Sequence, residues 1–184
     1  MTSACPSGNP VSPPRRRYLP WILAVATTTV VLDQLTKWWA ESTLNDGRTI
    51  SVVGELLQFG LVYNPGAAFG IGGQFTWILT AIAAVAVVAL CILATRVLNP
   101  LWALGVGALL GGAISHLGDR VFRTPGFARG HVVDFIDYNG YFVGNVADIA
   151  LVGGAGLLIV LTFSGVDVRP RADTGAPGEG EPPA

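Results

Sequence analysis

Residues 75–98 read FTWILTAIAAVAVVALCILATRVL, and Arg96 is the single charged side chain in that run. The hydrocarbon layer of a membrane is about 30 Å thick, and a helix needs about 20 apolar residues to cross it. A run of this length and composition predicts a membrane-spanning helix rather than the core of a water-soluble domain.

Three further apolar runs predict three more spans. They cover Leu19 to Trp39, Leu101 to Gly118 and Val143 to Phe163. The first is too long, and too poor in a cleavage site, for a removable signal peptide, so we expect it to stay as an anchor. Small residues on one side of the third span predict close packing within a bundle, and they are Gly107, Ala108, Gly111 and Gly112.

The composition of the whole chain is typical of a membrane protein. Of its 184 residues, 51% are hydrophobic and 12% are charged, against about one quarter charged in an ordinary soluble domain. This length leaves room for about one domain and excludes a large multidomain enzyme. A net charge of -1 gives no basic field for nucleic acid. The two cysteines, Cys5 and Cys91, form neither a disulfide framework nor a zinc-binding pattern.

The chain ends predict the domain boundaries and the topology. Residues 1–18 and 164–184 are predicted to be disordered cytoplasmic tails, and residues 19–163 form the four-helix membrane domain. The basic cluster Arg15-Arg16-Arg17 precedes the first span, so the positive-inside rule places both termini in the cytoplasm.

Two extramembrane segments, at about 40–74 and 119–143, lie on the opposite side. Residues 49–64 alternate apolar residues with glycine breaks, and residues 124–144 contain a strand-like run followed by the turn pair Asn139-Gly140. The two segments together predict a small β-sheet at the membrane surface.

Ionisable side chains are scarce between the tails, and they lie at or near the non-cytoplasmic ends of the spans. Charged groups at such depth are costly and are usually functional or paired. Asp33 and Lys37 lie four residues apart on one helix, where they either neutralise each other or contact substrate and lipid headgroups. The candidates are Asp33, Lys37, Asp119, Arg120, Asp134, Asp137 and Asp148.

Asp134 and Asp148 are the best candidates for catalysis. Asp134 lies between Val133 and Phe135 in an apolar strand, where an unpartnered carboxylate is costly. The chain between the two aspartates is long enough to turn back and bring them together. Two adjacent carboxylates share one proton near neutral pH, so one can activate water while the other protonates a leaving amine. Alternatively, Asp148 stabilises the start of the fourth helix through the helix dipole, with Asn145 one turn before it.

Other hydrolytic arrangements lack the necessary residues. Lys37 is the sole lysine and has an ion-pair partner on its own helix, which argues against a Ser/Lys dyad. His116 and His131 are the two histidines, and no H-E-x-x-H pattern exists to hold zinc. Ser115 and His116 point about 100° apart on a helix, which argues against a Ser-His pair. An aspartate pair remains.

Five sequence blocks occur in a fixed order relative to the predicted spans. They are Asp33-Gln34-Leu35-Thr36-Lys37, Asn64-Pro65-Gly66-Ala67-Ala68-Phe69-Gly70, Gly111-Gly112-Ala113 through Asp119-Arg120, Val132-Val133-Asp134-Phe135 and Asn145-Val146-Ala147-Asp148. In this order they resemble the motifs of the lipoprotein signal peptidases of type II, over about residues 19–163. The resemblance implies an α-helical integral membrane protein, with four transmembrane helices, a small extramembrane β-sheet and a surface segment.

The resemblance also implies an intramembrane aspartyl endopeptidase of the bacterial inner membrane, with no metal and no other cofactor. Its substrates would be prolipoproteins, cleaved before the diacylglyceryl-modified cysteine, at a site near the extracytoplasmic face. We expect a monomer in contact with membrane lipid, with no nucleic-acid partner. The implied catalytic pair is Asp134 and Asp148. The implied supporting residues are Asn64, Arg120 and Asn145 around the pair, Asp33 and Lys37 in the first block, and His116 and Asp119 in the third block.

One block departs from the family pattern. Where the family has Gly and Asn in Gly-Gly-Ala-x-Gly-Asn-x-x-Asp-Arg, this chain has Ser115 and His116. Neutral imidazole donates and accepts hydrogen bonds as an amide does, with a different reach. His116 can thus substitute for the Asn and add a titratable group, it can be a histidine satisfied between helices, or it can alter specificity. The last alternative includes a non-catalytic homologue, such as a membrane binder or a proton-coupled carrier.

Overall fold

The computed structural model describes residues 18–67 and 70–168. Within them, four long helices and a small antiparallel sheet follow one another as the sequence predicts. The predicted tails lie outside the described residues, apart from Tyr18 and residues 164–168. The elements are α1 (Leu19–Thr43), β1 (Ile50–Val53), β2 (Leu57–Asn64), a one-turn 3₁₀ helix (Gly73–Phe75), α2 (Thr76–Ala94), α3 (Pro100–Phe122), β3 (Val132–Asp137), β4 (Val143–Gly144) and α4 (Val146–Phe163).

The four helices are each long and apolar enough to cross a membrane. Their outer surfaces expose large apolar side chains, such as Ile82, Val85 and Val88 of α2, as lipid-facing surfaces do. α3 is the most buried of the four and packs against α1, α2 and α4. The bundle is therefore arranged around α3.

Two helices extend past their predicted ends. α1 continues one turn beyond Trp39, to Thr43. α3 reaches Phe122, so that Asp119 and Arg120 lie in its last turn and not in an extramembrane segment. The prediction from hydropathy placed the end of the span at Gly118 because Asp119 and Arg120 are charged. The helix continues because both side chains are buried and hydrogen-bonded.

The other two helices are shorter than predicted. α2 ends at Ala94, one turn before the predicted boundary. α4 begins at Val146 and not at Val143, because the side chain of Asn145 caps it. Asn145 Oδ1 accepts a hydrogen bond from the Asp148 backbone N–H at 3.1 Å, and Asp148 Oδ2 accepts one from the Asn145 N–H at 2.9 Å. This reciprocal capping box confirms that Asp148 stabilises the start of α4.

The small residues of α3 lie on two sides of the helix, whereas the sequence predicted one. A Cβ atom added at Gly107 would lie 2.8 Å from Val25 Cβ in α1, and one added at Gly112 would lie 2.7 Å from Leu151 Cγ in α4. The helical period explains the difference, because adjacent positions such as Gly111 and Gly112 point about 100° apart. Glycine therefore lets both α1 and α4 approach α3 closely.

We expect Gly111→Ala to lower the free energy of unfolding by about 1–3 kcal/mol. Its Cβ atom would lie 2.6 Å from Thr29 Cβ and 2.7 Å from the carbonyl oxygen of Ala26. The matched control is Gly118→Ala on the same helix, where nothing lies within 4 Å of the added atom. Thermal unfolding of the detergent-solubilised proteins measures both, and equal unfolding temperatures would contradict close packing of α1 on α3.

The sheet has the strand order β1-β2-β3-β4, with all neighbouring strands antiparallel. Trp39 of α1 packs edge-on against Phe135 of β3 at a centroid distance of 6.3 Å, which holds the sheet against the end of the helix. The β2–β3 register pairs Val62 with Asp134. Asn64, two residues beyond Val62, therefore lies on the same face of the sheet as Asp134 and diagonal to it.

The predicted turn between the last two strands is confirmed. Asn139 and Gly140 have φ angles of 56° and 74°, the left-handed conformation that this residue pair tolerates best. The Gly140 N–H donates to Asp137 Oδ1 at 2.7 Å. The chain thus reverses after β3 and leads directly into α4.

Candidate active site

Asp134 lies within β3 and is 2% exposed. Both of its carboxylate oxygens accept hydrogen bonds from side-chain amides. Asn64 Nδ2 donates to Oδ2 at 2.9 Å, and Asn145 Nδ2 donates to Oδ1 at 2.6 Å. A buried carboxylate needs such partners because desolvation disfavours its charge. The sequence required a partner for Asp134, and the structure supplies two amides.

Asp148 lies in the first turn of α4 and is partly exposed. Its Oδ2 accepts the Asn145 backbone N–H, and its Oδ1 lies 3.3 Å from His116 Nε2. Because the side-chain amide of Asn145 donates to Asp134, this one residue contacts both carboxylates. The local sequence thus places the helix cap and the two acids in one cluster.

Both carboxylates line one cavity of about 150 Å³. A water molecule takes up about 30 Å³ in the liquid, so the cavity has room for more than one. The other lining residues come from the end of β2 and the loop after it, from α3, from β3 and from the turn before β4. Among the residues that the structure describes, the lining is Asn64, Gly66, Ala67, His116, Arg120, Val132, Asp134, Phe142 and Asp148.

Two larger cavities adjoin this one. A cavity of about 390 Å³ includes Asp134 and Tyr141, and a cavity of about 460 Å³ includes Asp148 and apolar residues such as Val152. Phe142 lines all three cavities. Each acid therefore borders the shared cavity and one of the two larger cavities.

Burial raises the pKa of Asp134 from its usual 3.8 to about 6. This value is the net result, to which the charge of Asp148 also contributes upward, whereas the hydrogen bonds from Asn64 and Asn145 and the charge of His116 lower the pKa. Desolvation is the largest of these effects. Asp134 therefore keeps its proton up to about pH 6, where an ordinary aspartate is ionised.

Arg120 lines the cavity, but its hydrogen bonds go to backbone carbonyls. Its guanidinium donates to the oxygens of Pro65 at 2.8 Å and Gly130 at 3.3 Å, and also to Gly66. These carbonyls lie just after β2 and just before β3. Arg120 therefore ties together the ends of the two strands that carry Asn64 and Asp134.

Behind the cavity, Lys37 is enclosed by two carboxylates. Its Nζ lies 2.5 Å from Asp33 Oδ2 and 2.7 Å from Asp119 Oδ2, and none of the three side chains is more than 1% exposed. The predicted Asp33–Lys37 pair is confirmed, and Asp119 is its third member. Arg123 reaches the other oxygen of Asp119 at 2.7 Å. We call Asp33, Lys37 and Asp119 the buried ion cluster.

The buried ion cluster contacts the backbone next to both aspartates of the pair. Asp33 Oδ1 accepts the Ala147 N–H at 2.8 Å, one residue before Asp148. Asp119 Oδ2 accepts the Val133 N–H at 3.5 Å, one residue before Asp134. The cluster therefore positions the start of α4 and the middle of β3 relative to each other.

The structure separates the nine predicted site residues into two groups. Asn64, His116, Arg120, Asp134 and Asp148 line the cavity, with Asn145 bridging the acids, and the buried ion cluster lies behind them. The sequence missed Phe142, which showed no chemical signal. It also missed that Ser115, the departure next to His116, donates to Asp33 at 2.6 Å and accepts from Gln34 at 2.8 Å.

Comparisons with known proteins agree with this fold. The family model described as signal peptidase (SPase) II matches residues 25–164. The lipoprotein signal peptidase of Mycobacterium avium is 46% identical over 155 residues, which cover 84% of this chain and 84% of the relative. That of Mycobacterium tuberculosis is 44% identical over 161 residues, which cover 88% of this chain and 80% of the relative.

Two solved structures of bacterial membrane enzymes have a similar fold. A bacterial membrane enzyme determined by the in meso method at 2.3 Å resolution matches with a TM-score of 0.73 and 25% sequence identity. The match covers 87% of this chain and 98% of that chain. A second bacterial membrane enzyme, determined at 1.9 Å, matches with a TM-score of 0.69 and 26% identity, over 82% of this chain and 97% of that one.

Proposed function

The chain belongs to the signal peptidase II family, and on that premise we propose that it is an intramembrane aspartyl endopeptidase. Membership makes it a protease that removes signal peptides and a multi-pass bacterial membrane protein with prolipoprotein substrates. The proposal adds the mechanism and the bond. Asp134 and Asp148 hydrolyse the peptide bond immediately before the lipid-modified cysteine.

The observation that carries the proposed mechanism is the position of Asn145 between the two carboxylates. Its side chain donates to Asp134 and its backbone N–H donates to Asp148. One residue thus orients both acids at the edge of a cavity with room for water. Catalytic acids and bases need such fixed geometry as well as a suitable pKa.

In the proposed reaction, the ionised carboxylate of Asp148 takes a proton from a water molecule as the water oxygen attacks the scissile carbonyl carbon. The protonated carboxyl of Asp134 then gives its proton to the leaving nitrogen as the C–N bond of the tetrahedral intermediate breaks. The raised pKa of Asp134 supports this assignment, because the acid must hold its proton at the start.

The supporting roles follow from the contacts. Asn64 and Asn145 orient Asp134. Arg120 holds the loop that follows Asn64, through the carbonyl oxygen of Pro65. The buried ion cluster fixes the backbone beside both acids. A proton-coupled carrier finds no support, because Asp33 and Asp119 are bound to Lys37 and form no chain of groups leading to Asp148.

We further propose a monomer with cytoplasmic termini and an extracytoplasmic site. One chain supplies both acids and the cavity, which supports a monomer. Tyr18, Ala94 and Val168 pack at one end of the bundle. In the sequence, the basic cluster at residues 15–17 immediately precedes Tyr18, and Arg96 follows Ala94 by two residues. The sheet and the cavity lie at the other end. The positive-inside rule supports a cytoplasmic location for the basic end, and the open apolar surfaces support contact with membrane lipid.

The test is cleavage of a synthetic prolipoprotein segment by the purified full-length chain in lipid nanodiscs. We expect cleavage of the bond before a diacylglyceryl-modified cysteine. We expect kcat/KM to be at least about tenfold lower for the same peptide with an unmodified cysteine, because binding energy from the lipid acts at the reacting bond. Mass spectrometry of the products identifies the bond.

The unmodified peptide is the matched control for the lipid. Cleavage of both peptides at equal rates would contradict the proposed specificity for the lipid-modified cysteine. Cleavage at another bond would contradict the proposed position, and intact peptides after prolonged incubation would contradict the peptidase activity itself.

A further inference from the structure

Among the described residues, His116 Nε2 is the one buried side-chain nitrogen or oxygen without a hydrogen-bond partner. It lies 3.3 Å from Asp148 Oδ1, within ion-pair distance but outside the alignment that a hydrogen bond requires. Buried polar atoms are almost always satisfied, so an unsatisfied one beside a carboxylate calls for an explanation. An electrostatic contact with Asp148 provides one.

The charged groups around His116 come from several elements. Asp148 of α4 is in direct contact, and Asp134 of β3 and Arg120 of α3 line the same cavity. Arg120 directs its hydrogen bonds to backbone carbonyls and not to either acid. The buried ion cluster lies on the side of Ser115, which points about 100° away around α3. The charge of Arg120 interacts with that of Asp134, and His116 is the titratable cation in contact with Asp148.

We propose that His116, when protonated, is a positioning residue that keeps Asp148 ionised and so leaves the shared proton on Asp134. The inference rests on the proposed aspartyl mechanism and adds to it the group that decides which acid is the base. Imidazolium donates from both ring nitrogens, and a cation at this distance favours the ionised form of a carboxylate.

The geometry makes this effect selective for one acid. His116 contacts Asp148 directly, whereas burial, the charge of Asp148 and the two amides each affect the pKa of Asp134 more than the charge of His116 does. Both oxygens of Asp134 are already occupied by amides. The protonated imidazole therefore acts mainly on Asp148. It favours ionisation of that carboxylate more than ionisation of Asp134.

The proposal makes a prediction for the pH profile of cleavage. Imidazole changes charge between about pH 5 and 8, so its support for ionised Asp148 is present in acid and is lost as the pH rises. In His116→Asn, which keeps a polar side chain without the charge, we expect the acid limb of the kcat/KM profile to move up by about one pH unit or more. Well below the midpoint of the limb, this corresponds to about tenfold lower activity than in the unaltered chain, when each profile is taken relative to its own optimum.

The matched control is His131→Asn, the same substitution at the other histidine, which does not line the cavity. Its acid limb should stay where it is in the unaltered chain. A structural defect in His116→Asn lowers the whole profile without moving the limb. An unmoved limb in His116→Asn would therefore overturn the proposal.

A second measurement needs no activity and is independent of the proposed function. Ring-nitrogen NMR of the ¹⁵N-histidine-labelled protein reports the surroundings of the two imidazoles. In Asp148→Asn, which removes the anion, we expect the ring-nitrogen signals of His116 to change and those of His131 to stay, because His116 Nε2 contacts Asp148. Unchanged His116 signals overturn the proposal. Failure of the unaltered chain to cleave any prolipoprotein contradicts the proposed function and leaves this NMR comparison unaffected.

Discussion

Replacement of Asp134 by Asn is expected to lower kcat/KM for prolipoprotein cleavage by about 10³-fold or more, and Asp148→Asn is expected to do the same. An amide cannot take the proton from water, and it has no acidic proton for the leaving nitrogen. Each variant therefore lacks one of the two proton transfers. Because the acids act as a unit, the double variant should be about as slow as either single one. Single-turnover cleavage in nanodiscs measures the loss.

The matched control is Asp137→Asn, which removes another carboxylate from the same strand. Asp137 accepts the Gly140 N–H and does not line the cavity, and an asparagine oxygen can accept the same bond. We expect it to cleave within about threefold of the unaltered chain, since the two transfers remain intact. Near-normal cleavage by Asp134→Asn or Asp148→Asn would contradict the pair.

Folding of the Asp134→Asn variant can be checked by the pH dependence of its stability. The raised pKa means that folded Asp134 binds its proton more tightly than unfolded Asp134. Its contribution to stability is therefore present below about pH 4 and is lost as the pH rises to about 6. Removal of the carboxyl group should remove this part of the pH dependence, so Tm should fall less over that interval in the variant.

Much of the architecture could be predicted from the sequence because the membrane imposes a simple rule. Apolar runs of sufficient length identified all four spans, and the turn pair Asn139-Gly140 marked the end of a strand. Ionisable side chains are scarce between the tails, so Asp134 and Asp148 were among few candidates for catalysis. The structure places both at one cavity. Each of these features depends on local composition or on a short pattern.

The features that could not be predicted from the sequence depend on contacts between residues that are far apart in the chain. Asp119 continues α3 because Lys37, 82 residues earlier, neutralises it. Ser115 replaces the glycine of the family motif. Its hydroxyl donates to Asp33, a contact that exists because α1 packs against α3. Phe142 borders three cavities although nothing in its local pattern suggests a site. Partners so far apart in the chain leave no periodic signal.

Asn145 explains why the fold and the site depend on the same few residues. As the cap of α4 it must accept the Asp148 N–H with its side-chain oxygen, and this leaves its amide nitrogen free to donate to Asp134. The requirement for a helix start therefore fixes that the nitrogen of the amide, and not its oxygen, faces Asp134. The buried ion cluster then holds this helix start against α1 through the Ala147 N–H.

The largest expected effect on stability comes from Lys37→Met, which should lower the free energy of unfolding by about 3–5 kcal/mol. The side chain of Lys37 is fully buried between Asp33 and Asp119, and methionine fills a similar volume without the charge. Asp119 keeps Arg123 at 2.7 Å, so Asp33 is the carboxylate left without a cation. Thermal unfolding in detergent measures the loss, and Arg48→Met is the control for a cation in an exposed pair.

Arg48 pairs with Asp46 at 3.4 Å, and both side chains are 57% exposed, so its loss should cost no more than about 1 kcal/mol. If Asp33 is the carboxylate left without a cation, the added substitution Asp33→Asn should recover part of the stability lost in Lys37→Met. The uncompensated buried charge is then gone. Recovery by Asp119→Asn instead would assign the cost to the other carboxylate. Equal unfolding temperatures for Lys37→Met and Arg48→Met would contradict a structural role for the buried ion cluster.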